Sequence, residues 1–210
     1  MSDDRSIDYY FTVTSPWSYL GHEPFLAITR RHPVQVRYHP VDFGAVFAVS
    51  GGLPLPKRAP QRQRYRLFEL QRWRARRDAP MNLHPRHFPT DPSLGVRTLL
   101  VVNELGADTG AITSSFMQAC WVEERDVADP AVLTEILDRH GLDGRALVAQ
   151  ADEPRTRERA EAETEAAKKA QVFGAPSWIY RGELFWGQDR LDMLEELIAG
   201  VREPFAVDAP

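Results

Sequence analysis

The two ends of this chain carry strand and helix patterns that fit together, and they constrain its fold more than any other feature. Near the N-terminus an alternating aromatic and β-branched stretch from Ser6 to Val13 predicts a strand. The segment from Pro16 to Arg31 predicts an amphipathic helix, and Val34 to His39 predicts a second strand. Near the C-terminus two further strands, Ser177 to Tyr180 and Glu183 to Trp186, are joined by a Gly-containing turn. Together these elements predict one mixed α/β sheet built from both ends of the chain.

The long middle of the chain predicts helices. The segment 40–60 is rich in glycine and proline and predicts mostly loop. Helical patterns follow from Gln61 to Arg77 and, with breaks, on to Gln171, and a capped helix from Asp189 closes the chain. We therefore predict an α/β, thioredoxin-like fold with a large all-helical insertion. In this prediction 1–210 is a single chain with its core in 5–55 and 172–202 and its helical insertion in 56–171.

Ser15 lies at the junction between the first predicted strand and the first predicted helix. The first amides of a helix are unpaired and its dipole places partial positive charge there, so a thiolate, phosphate or carboxylate beside Ser15 would be stabilised. An ordinary N-cap followed by Pro16 at the first helical position explains the same residues. The junction alone leaves both interpretations open.

Three motifs, separated by the helical middle, resemble those of one enzyme group. They are Ser-Pro-Trp-Ser from Ser15, Phe-Gly-Ala-Pro from Phe173, and Phe-Trp-Gly-Gln-Asp-Arg from Phe185. In this order they are similar to the kappa-class glutathione transferases and to their relatives, the 2-hydroxychromene-2-carboxylate isomerases, which have a DsbA-like thioredoxin fold. The resemblance covers the chain from Ile7 to Leu197, and the segments 51–58 and 70–73 resemble the isomerase branch more closely.

The resemblance implies that glutathione supplies the reactive group and binds beside a cis-proline, Pro176. Ser15, the implied catalytic residue, would donate a hydrogen bond to the glutathione sulfur and, with the helix amides, lower the pKa of the thiol. The backbone of Ala175 would pair with the cysteinyl part of glutathione as an added strand does. The γ-glutamyl end would be held by four consecutive residues, Trp186, Gly187, Gln188 and Asp189. An N-cap role explains Asp189 equally well, and the two roles are compatible.

The resemblance also implies a site for a small aromatic carboxylate. Lys57 follows the proline-rich loop, where the isomerases carry a cation for the substrate carboxylate, and Phe47 lies near a position at which relatives can carry a lysine. His87 lies where the isomerases present a polar ring, although a plain loop histidine explains it as well. We predict no metal, because the pair His84 and His87 has no further ligand at the required spacing.

The activity that the resemblance implies is a glutathione-dependent cis–trans isomerisation in aromatic hydrocarbon catabolism. It would interconvert 2-hydroxychromene-2-carboxylate, or a polycyclic analogue, and trans-o-hydroxybenzylidenepyruvate through reversible addition of the thiolate to a conjugated double bond. A kappa-like glutathione transferase that conjugates electrophiles and a non-catalytic thioredoxin-like binding module are the alternatives. The relatives also suggest a homodimer.

Composition argues against several other classes of protein. Cys120 is the only cysteine, so an internal disulfide and a two-cysteine redox cycle are excluded. The net charge of −4 gives no general attraction to nucleic acid, and we interpret the cations between Lys57 and Arg77 as a solvated surface paired with acids elsewhere. The chain has neither a secretory signal pattern nor an apolar run long enough to span a bilayer. These features predict a cytoplasmic protein without a membrane partner.

Overall fold

A four-stranded mixed sheet forms the centre of the computed structural model, which describes residues 5–207. Its strands are β1 (Ser6–Phe11), β2 (Gln35–Pro40), β3 (Ser177–Tyr180) and β4 (Glu183–Trp186), in the order β2-β1-β3-β4. β1 and β2 run parallel, whereas β3 is antiparallel to both of its neighbours. The sheet joins the two ends of the chain and confirms the thioredoxin-like fold.

Nine α-helices and two short 3₁₀ segments lie within residues 5–207. The helices are α1 (Pro16–Arg31), α2 (Phe43–Ser50), α3 (Pro60–Arg76), α4 (Ser93–Leu105), α5 (Thr109–Trp121), α6 (Pro130–Arg139), α7 (Gly144–Ala151), α8 (Pro154–Lys169) and α9 (Leu191–Ile198), and the 3₁₀ segments are Leu55–Lys57 and Gln188–Arg190. From α3 to α8 no strand interrupts the series in the described chain, which confirms the helical insertion. None of these helices is both long and apolar enough to cross a membrane.

The helix α2 corrects the loop that the sequence predicts over 40–60. Asp42 caps it, because the carboxylate accepts a hydrogen bond from the Gly44 amide at 2.8 Å. Gly51 ends the helix. Phe43 and Val46 are buried, so packing stabilises this short helix between two proline-containing segments.

Two apolar clusters cover the two faces of the sheet. The larger cluster joins the sheet residues Tyr9 and Trp178 to the helix residues Phe116 and Trp121, all of them fully buried. The smaller cluster contains Tyr10, Val41, Phe43, Val46, Ala167 and Val172. Side chains alternate across a strand, so Tyr9 and Tyr10 point to opposite faces and bring the two clusters to opposite sides. The helical insertion therefore shares its core with the sheet.

Candidate functional site

Ser15 caps the N-terminus of α1. Its Oγ accepts a hydrogen bond from the Ser18 amide at 3.2 Å, and its own amide donates to the Thr12 carbonyl at 3.1 Å. Pro16 has no amide proton, so the amide of Trp17 is the first that this helix end offers to a ligand. The Ser15 hydroxyl proton is donated to no residue among 5–207. Ser15 thus holds a hydroxyl donor beside the positive end of a helix dipole.

Ser18, the second serine of the first motif, is fully buried on α1. Its hydroxyl has no hydrogen-bond partner within the described chain. Most buried hydroxyls are paired, so Ser18 adds an uncompensated polar group one turn behind Ser15.

The peptide bond between Ala175 and Pro176 is cis. Tyr10 faces Ser177 in the pairing of β1 with β3, so Pro176 follows at the end of the sheet that leads to Ser15. Neither the amide nor the carbonyl of Ala175 is hydrogen-bonded to a residue in 5–207. Both backbone groups are therefore available to an extended peptide.

The segment from Trp186 to Asp189 is held against the cis-proline and against α1. The Gly187 amide donates to the Pro176 carbonyl at 2.9 Å, and Gly187 has a φ of 97°, a conformation that favours glycine. Gln188 is only 2% exposed. On α1, Gly21 permits the close approach, because a Cβ there would lie 2.9 Å from the Cβ of Gln188. We call the set Ser15, Ala175, Pro176, Trp186, Gly187, Gln188 and Asp189 the Ser15 site.

Asp189 does not cap the last helix, so that part of the sequence prediction is wrong. It lies within the 3₁₀ segment, and its Oδ2 pairs with Nη1 of Arg190 at 2.6 Å. The helix α9 begins later, at Leu191, and no side chain caps it. The last helix therefore begins after a tight 3₁₀ turn, and the Asp189 carboxylate lies partly exposed at its side.

Arg77, to which the sequence analysis gives no role in the site, binds Gln188 from the end of α3. Its Nε donates to Oε1 of Gln188 at 2.7 Å, and its Nη2 donates to the Gln188 carbonyl at 2.8 Å. The guanidinium also lies 5.1 Å from the centroid of the Trp73 ring. Burial lowers the pKa of Arg77, and Asp192 opposes this effect. The two partners are 111 positions apart, and no local pattern predicts such a contact.

A small pocket of about 150 Å³ lies beside Gln188 and Asp189. It is lined by Trp73, Arg76, Arg77, Gln188, Asp189 and Asp192. Two arginines and two aspartates supply both signs of charge, which suits a ligand that carries an ammonium and a carboxylate group. A larger cavity of about 620 Å³ lies between β4, α9 and Phe205, and neither Ser15 nor Pro176 lines it.

Phe47 and Lys57 occupy different surroundings. Phe47, on α2, packs against the smaller apolar cluster, and Ala175 packs against the same cluster. Lys57 ends the 3₁₀ segment Leu55–Lys57 and is exposed. No acid within residues 5–207 pairs with Lys57, and no hydrogen bond joins it to the Ser15 site. The apolar cluster thus links Phe47 to the Ser15 site, whereas Lys57 remains a solvated cation.

His87 lies exposed in the loop between α3 and α4. Its neighbour Phe88 packs on Trp121 with ring centroids 4.9 Å apart, and Nε1 of Trp121 donates to the Val13 carbonyl at 3.2 Å. These contacts connect the His87 loop to the chain just before Ser15. In the part of the chain that the structure describes, no direct hydrogen bond joins His87 to the Ser15 site.

Most of the cations between Lys57 and Arg77 are exposed, which confirms the solvated surface, but they do not pair mainly with acids, so that part of the interpretation is wrong. Among the described residues the one ion pair from this run joins Arg72 to Glu69. Arg58 and Arg74 donate instead to backbone carbonyls, at 2.7 and 2.9 Å. Most of the positive charge of this segment is therefore left without a carboxylate.

Cys120 and His22 are not placed to act as nucleophile and base. Cys120 is buried in α5, and burial together with the charge of Asp126 raises its pKa to about 12. His22 lies between the Tyr9 hydroxyl at 3.3 Å and the Gly110 carbonyl at 2.9 Å, and burial lowers its pKa. No group of three or more His, Cys, Asp or Glu side chains suited to a metal ion occurs among residues 5–207.

Comparison with known proteins gives consistent matches along most of the chain. A family model described as a DSBA-like thioredoxin domain matches residues 6–199. The chain is 29% identical over 198 residues to a 2-hydroxychromene-2-carboxylate isomerase of Pseudomonas sp. (strain C18), and the match covers 92% of this chain and 90% of that protein. It is 26% identical over 207 residues to a glutathione S-transferase kappa 1 of Caenorhabditis elegans, with 91% and 90% covered. A solved structure of a 2-hydroxychromene-2-carboxylate isomerase superposes with a TM-score of 0.77 at 23% identity, with 93% and 95% covered.

Proposed function

Because this chain belongs to the DSBA-like thioredoxin domain family, we propose that it is a glutathione-dependent cis–trans isomerase. The proposed substrate is 2-hydroxychromene-2-carboxylate or a polycyclic analogue, which it interconverts with trans-o-hydroxybenzylidenepyruvate. Relatives with the isomerase name, which align along at least 90% of the chain, support this reaction. The observation that carries the proposal is the Ser15 hydroxyl, whose proton is uncommitted at the N-terminus of α1.

The Ser15 site fits glutathione at both ends. The free amide and carbonyl of Ala175 suit the backbone of a bound peptide. The pocket beside Gln188 and Asp189 has both signs of charge, which suits the γ-glutamyl ammonium and carboxylate groups. When bound, glutathione supplies a thiolate that adds to the conjugated double bond, permits rotation about the resulting single bond, and leaves again, so that none is consumed.

Ser15 stabilises the sulfur anion in this proposal. Its hydroxyl donates one hydrogen bond, worth about 1 kcal/mol, which lowers the thiol pKa by somewhat less than one unit. The dipole of α1 acts in the same direction. Ser15 is not itself the nucleophile, because His22 is engaged with the Tyr9 hydroxyl and the Gly110 carbonyl and is unavailable as its base.

Three residues are proposed to bind the aromatic acid. Phe47 offers an apolar ring on α2, Lys57 offers an exposed cation to the carboxylate, and His87 offers a polar ring from its loop. The homodimer and the cytoplasmic location stay predictions.

Conversion of 2-hydroxychromene-2-carboxylate, followed by ultraviolet absorbance, tests the reaction directly. We expect conversion at substoichiometric glutathione, with the free thiol concentration unchanged at the end. The absence of turnover with and without glutathione would reject the proposal.

Replacing Ser15 with Ala tests the role of its hydroxyl. We expect the pKa of the bound glutathione thiol, measured from thiolate absorbance against pH, to rise by about 0.5–1 unit, because one donor is lost. Ser15→Thr should retain the wild-type pKa. Since Ser15→Ala also removes an N-cap worth about 1 kcal/mol, Asp143→Ala, which removes the cap of α7, is the matched control for stability. An unchanged thiol pKa in Ser15→Ala would show that Ser15 is not the activator.

A conjugating glutathione transferase is the second candidate, favoured by the alignment with the kappa 1 protein. It would consume glutathione in the presence of an electrophile such as chlorodinitrobenzene. Loss of thiol with that electrophile, without isomerisation of the chromene acid, would favour this candidate over the first.

A further inference from the structure

The strand β4 lies at one edge of the sheet, and its outer side is unpaired in the described part of the chain. The Gly187 amide donates to the Pro176 carbonyl, so the backbone groups of Phe185, two residues earlier, also face β3. Those of Leu184 and Trp186 face outward instead, and none of them is hydrogen-bonded to a residue in 5–207. Such an edge is suited to contact with another chain.

An apolar cavity of about 620 Å³ follows this edge. Phe185 and Trp186 line it from β4, Met193 lines it from α9, and Phe205 lines it from the C-terminal segment. Three of these four side chains are exposed: Trp186 by 52%, Met193 by 50% and Phe205 by 68%. Adjoining exposed apolar side chains mark interaction surfaces on soluble proteins. We define the β4–α9 surface by six residues that line the cavity: Leu184, Trp186, Arg190, Met193, Glu196 and Phe205.

The charges of the β4–α9 surface are arranged evenly about Met193. Arg190, Met193 and Glu196 follow one another at intervals of three residues, so they lie along one side of α9, and all three are exposed. A two-fold axis at Met193 brings Arg190 of each of two copies opposite Glu196 of the other. The surface is thus complementary in charge to a copy of itself, as a two-fold interface requires.

We propose that the β4–α9 surface binds a second copy of this chain, with the two α9 helices and the two β4 edges antiparallel about one two-fold axis. Phe185 and Met193 line the same cavity, so a single axis passes close to both. The C-terminal segment is fixed at the rim, because Arg202 donates to both carboxylate oxygens of Glu183 at 2.7 Å. The homodimer that the resemblance suggests thereby acquires a defined interface, which does not depend on the isomerase reaction.

The proposed interface borders the Ser15 site, because Trp186 belongs to both. The Trp186 ring packs on Phe173, with ring centroids 4.8 Å apart, and over Gly174, where a Cβ would lie 2.3 Å from Nε1 of Trp186. Arg190 pairs with Asp189 of the Ser15 site at 2.6 Å. A second copy on the β4–α9 surface therefore covers side chains next to the cis-proline.

Sedimentation velocity of the full chain at micromolar concentrations tests the interface. We expect the wild type to sediment as a dimer of 23.9 kDa chains. Glu196→Arg sets a second arginine opposite Arg190, and Arg190→Glu sets a second carboxylate opposite Glu196. We expect the dissociation constant of each variant dimer to rise at least about tenfold. Glu161→Arg, which makes the same charge change at an exposed residue of α8, should dimerise as the wild type does.

Mixing the two charge variants tests the two-fold arrangement itself. In a dimer of one Arg190→Glu chain and one Glu196→Arg chain, a carboxylate again lies opposite an arginine at both positions. We therefore expect the equimolar mixture to associate with nearly the wild-type dissociation constant, although each variant alone associates weakly. A mixture that associates no better than the separate variants would overturn the inference.

Two further results would overturn it. A wild type that stays monomeric would leave the β4–α9 surface to a different partner, and isomerisation of the chromene acid by that monomer would still support the proposed function. Single variants with the wild-type dissociation constant would place the interface elsewhere on the molecule. Should circular dichroism show that Arg190→Glu does not fold, Met193→Lys, which sets two ammonium groups against each other at the axis, provides the same comparison with the wild type.

Discussion

Two hydrogen bonds from Arg77 hold Gln188 beside the cis-proline, and this contact sets the geometry of the end of the Ser15 site at which we propose that glutathione binds. Gln188 is buried against α1, so its position determines where the next residue, Asp189, lies. Both side-chain hydrogen bonds of Arg77 within residues 5–207 go to Gln188, and neither goes to Ser15 or Pro176. Arg77 both positions Gln188 and lines the pocket proposed for the γ-glutamyl end, so its loss should affect binding rather than turnover.

Replacing Arg77 with Met should weaken glutathione binding about tenfold, because two charge-assisted hydrogen bonds to Gln188 disappear. The turnover number at saturating glutathione should remain within about twofold of the wild type, since the groups at the sulfur are untouched. Calorimetric titration gives the dissociation constant and absorbance gives kcat. The dissociation constant of Arg77→Lys should lie between those of the wild type and Arg77→Met. Arg64→Met should bind glutathione as the wild type does. A lower kcat with an unchanged dissociation constant would contradict the positioning role.

Single residues differ in how well the sequence predicts them. Ser15 is predicted as a cap because the cap signal is local: a serine, then a proline, then an amphipathic helix. Asp189 carries the same kind of local signal, yet the structure has a 3₁₀ turn there, and Arg190 pairs with the carboxylate. The contact between Arg77 and Gln188 depends on how α3 packs near the last 3₁₀ segment. No local sequence pattern predicts that packing.

At the scale of elements, His39 joins two strands to a helix. From β2 its Nε2 lies 2.9 Å from Oδ1 of Asp8 on β1, and its Nδ1 lies 2.9 Å from Oε2 of Glu163 on α8. Burial alone would lower the pKa of His39, but the hydrogen bonds to the two carboxylates outweigh it and raise the pKa to about 9. The charged imidazolium thus holds α8 on the sheet.

The free energy of unfolding should fall as pH rises from 6.5 to about 9, because the folded-state pKa of His39 is raised above its ordinary value. The contribution of His39 to the free energy of unfolding is fully present below pH 6.5 and is lost above about pH 9. It is on the order of 2 kcal/mol, less than the whole pKa difference would give because the cluster is partly exposed. Tyr10, which stacks on His39, does not titrate in this range, since burial raises its pKa to about 12.

Urea denaturation at several pH values measures this dependence. His39→Gln should be less stable than the wild type at neutral pH and should show a flatter profile over the same range. A wild-type profile that is flat between pH 6.5 and about 9 would contradict the ion-pair role of His39.

The helix α2 is the element that the sequence pattern does not predict. Its signals are present: Asp42 before the first turn and Gly51 after the last. The density of glycine and proline between 40 and 60 outweighs them, and an almost wholly apolar eight-residue segment has no amphipathic pattern to detect. Phe43 and Val46 are buried in the smaller apolar cluster, so packing rather than sequence periodicity stabilises this helix.

At the scale of the whole molecule, the sheet and the helical insertion share one large core. Tyr9 and Trp178 of the sheet belong to the same cluster as Phe116 and Trp121 of α5. Side chains from both parts therefore fill one core. The two parts should therefore unfold together although they are separated along the chain.

Denaturation followed by tryptophan fluorescence and by far-ultraviolet circular dichroism should give coincident midpoints, and the calorimetric enthalpy should equal the van't Hoff enthalpy. Phe116→Ala, within the insertion, should lower both midpoints together, at a cost of about 3–5 kcal/mol, because the cavity opens in the common core. Two separate transitions would show that the insertion is an independent folding unit.

The overall architecture is predictable from this sequence to a greater extent than the substrate side of the site. The strand patterns at both ends and the cis-proline motif are local, and they fix the sheet and the setting of Ser15. The surroundings of Lys57 and His87 depend on how the segment before α3 and the loop after it approach the sheet. No periodicity carries that information.

Because Cys120 is buried, reagents that attack thiols should not inactivate the polypeptide. Alkylating agents and peroxides inactivate enzymes through accessible thiols, whereas the one thiol of this polypeptide is buried. If glutathione supplies the reactive sulfur, as we propose, the component that such reagents inactivate is glutathione, which a cell resynthesises and recycles. The scaffold would resume work as soon as that supply is replenished, with no repair of the scaffold itself.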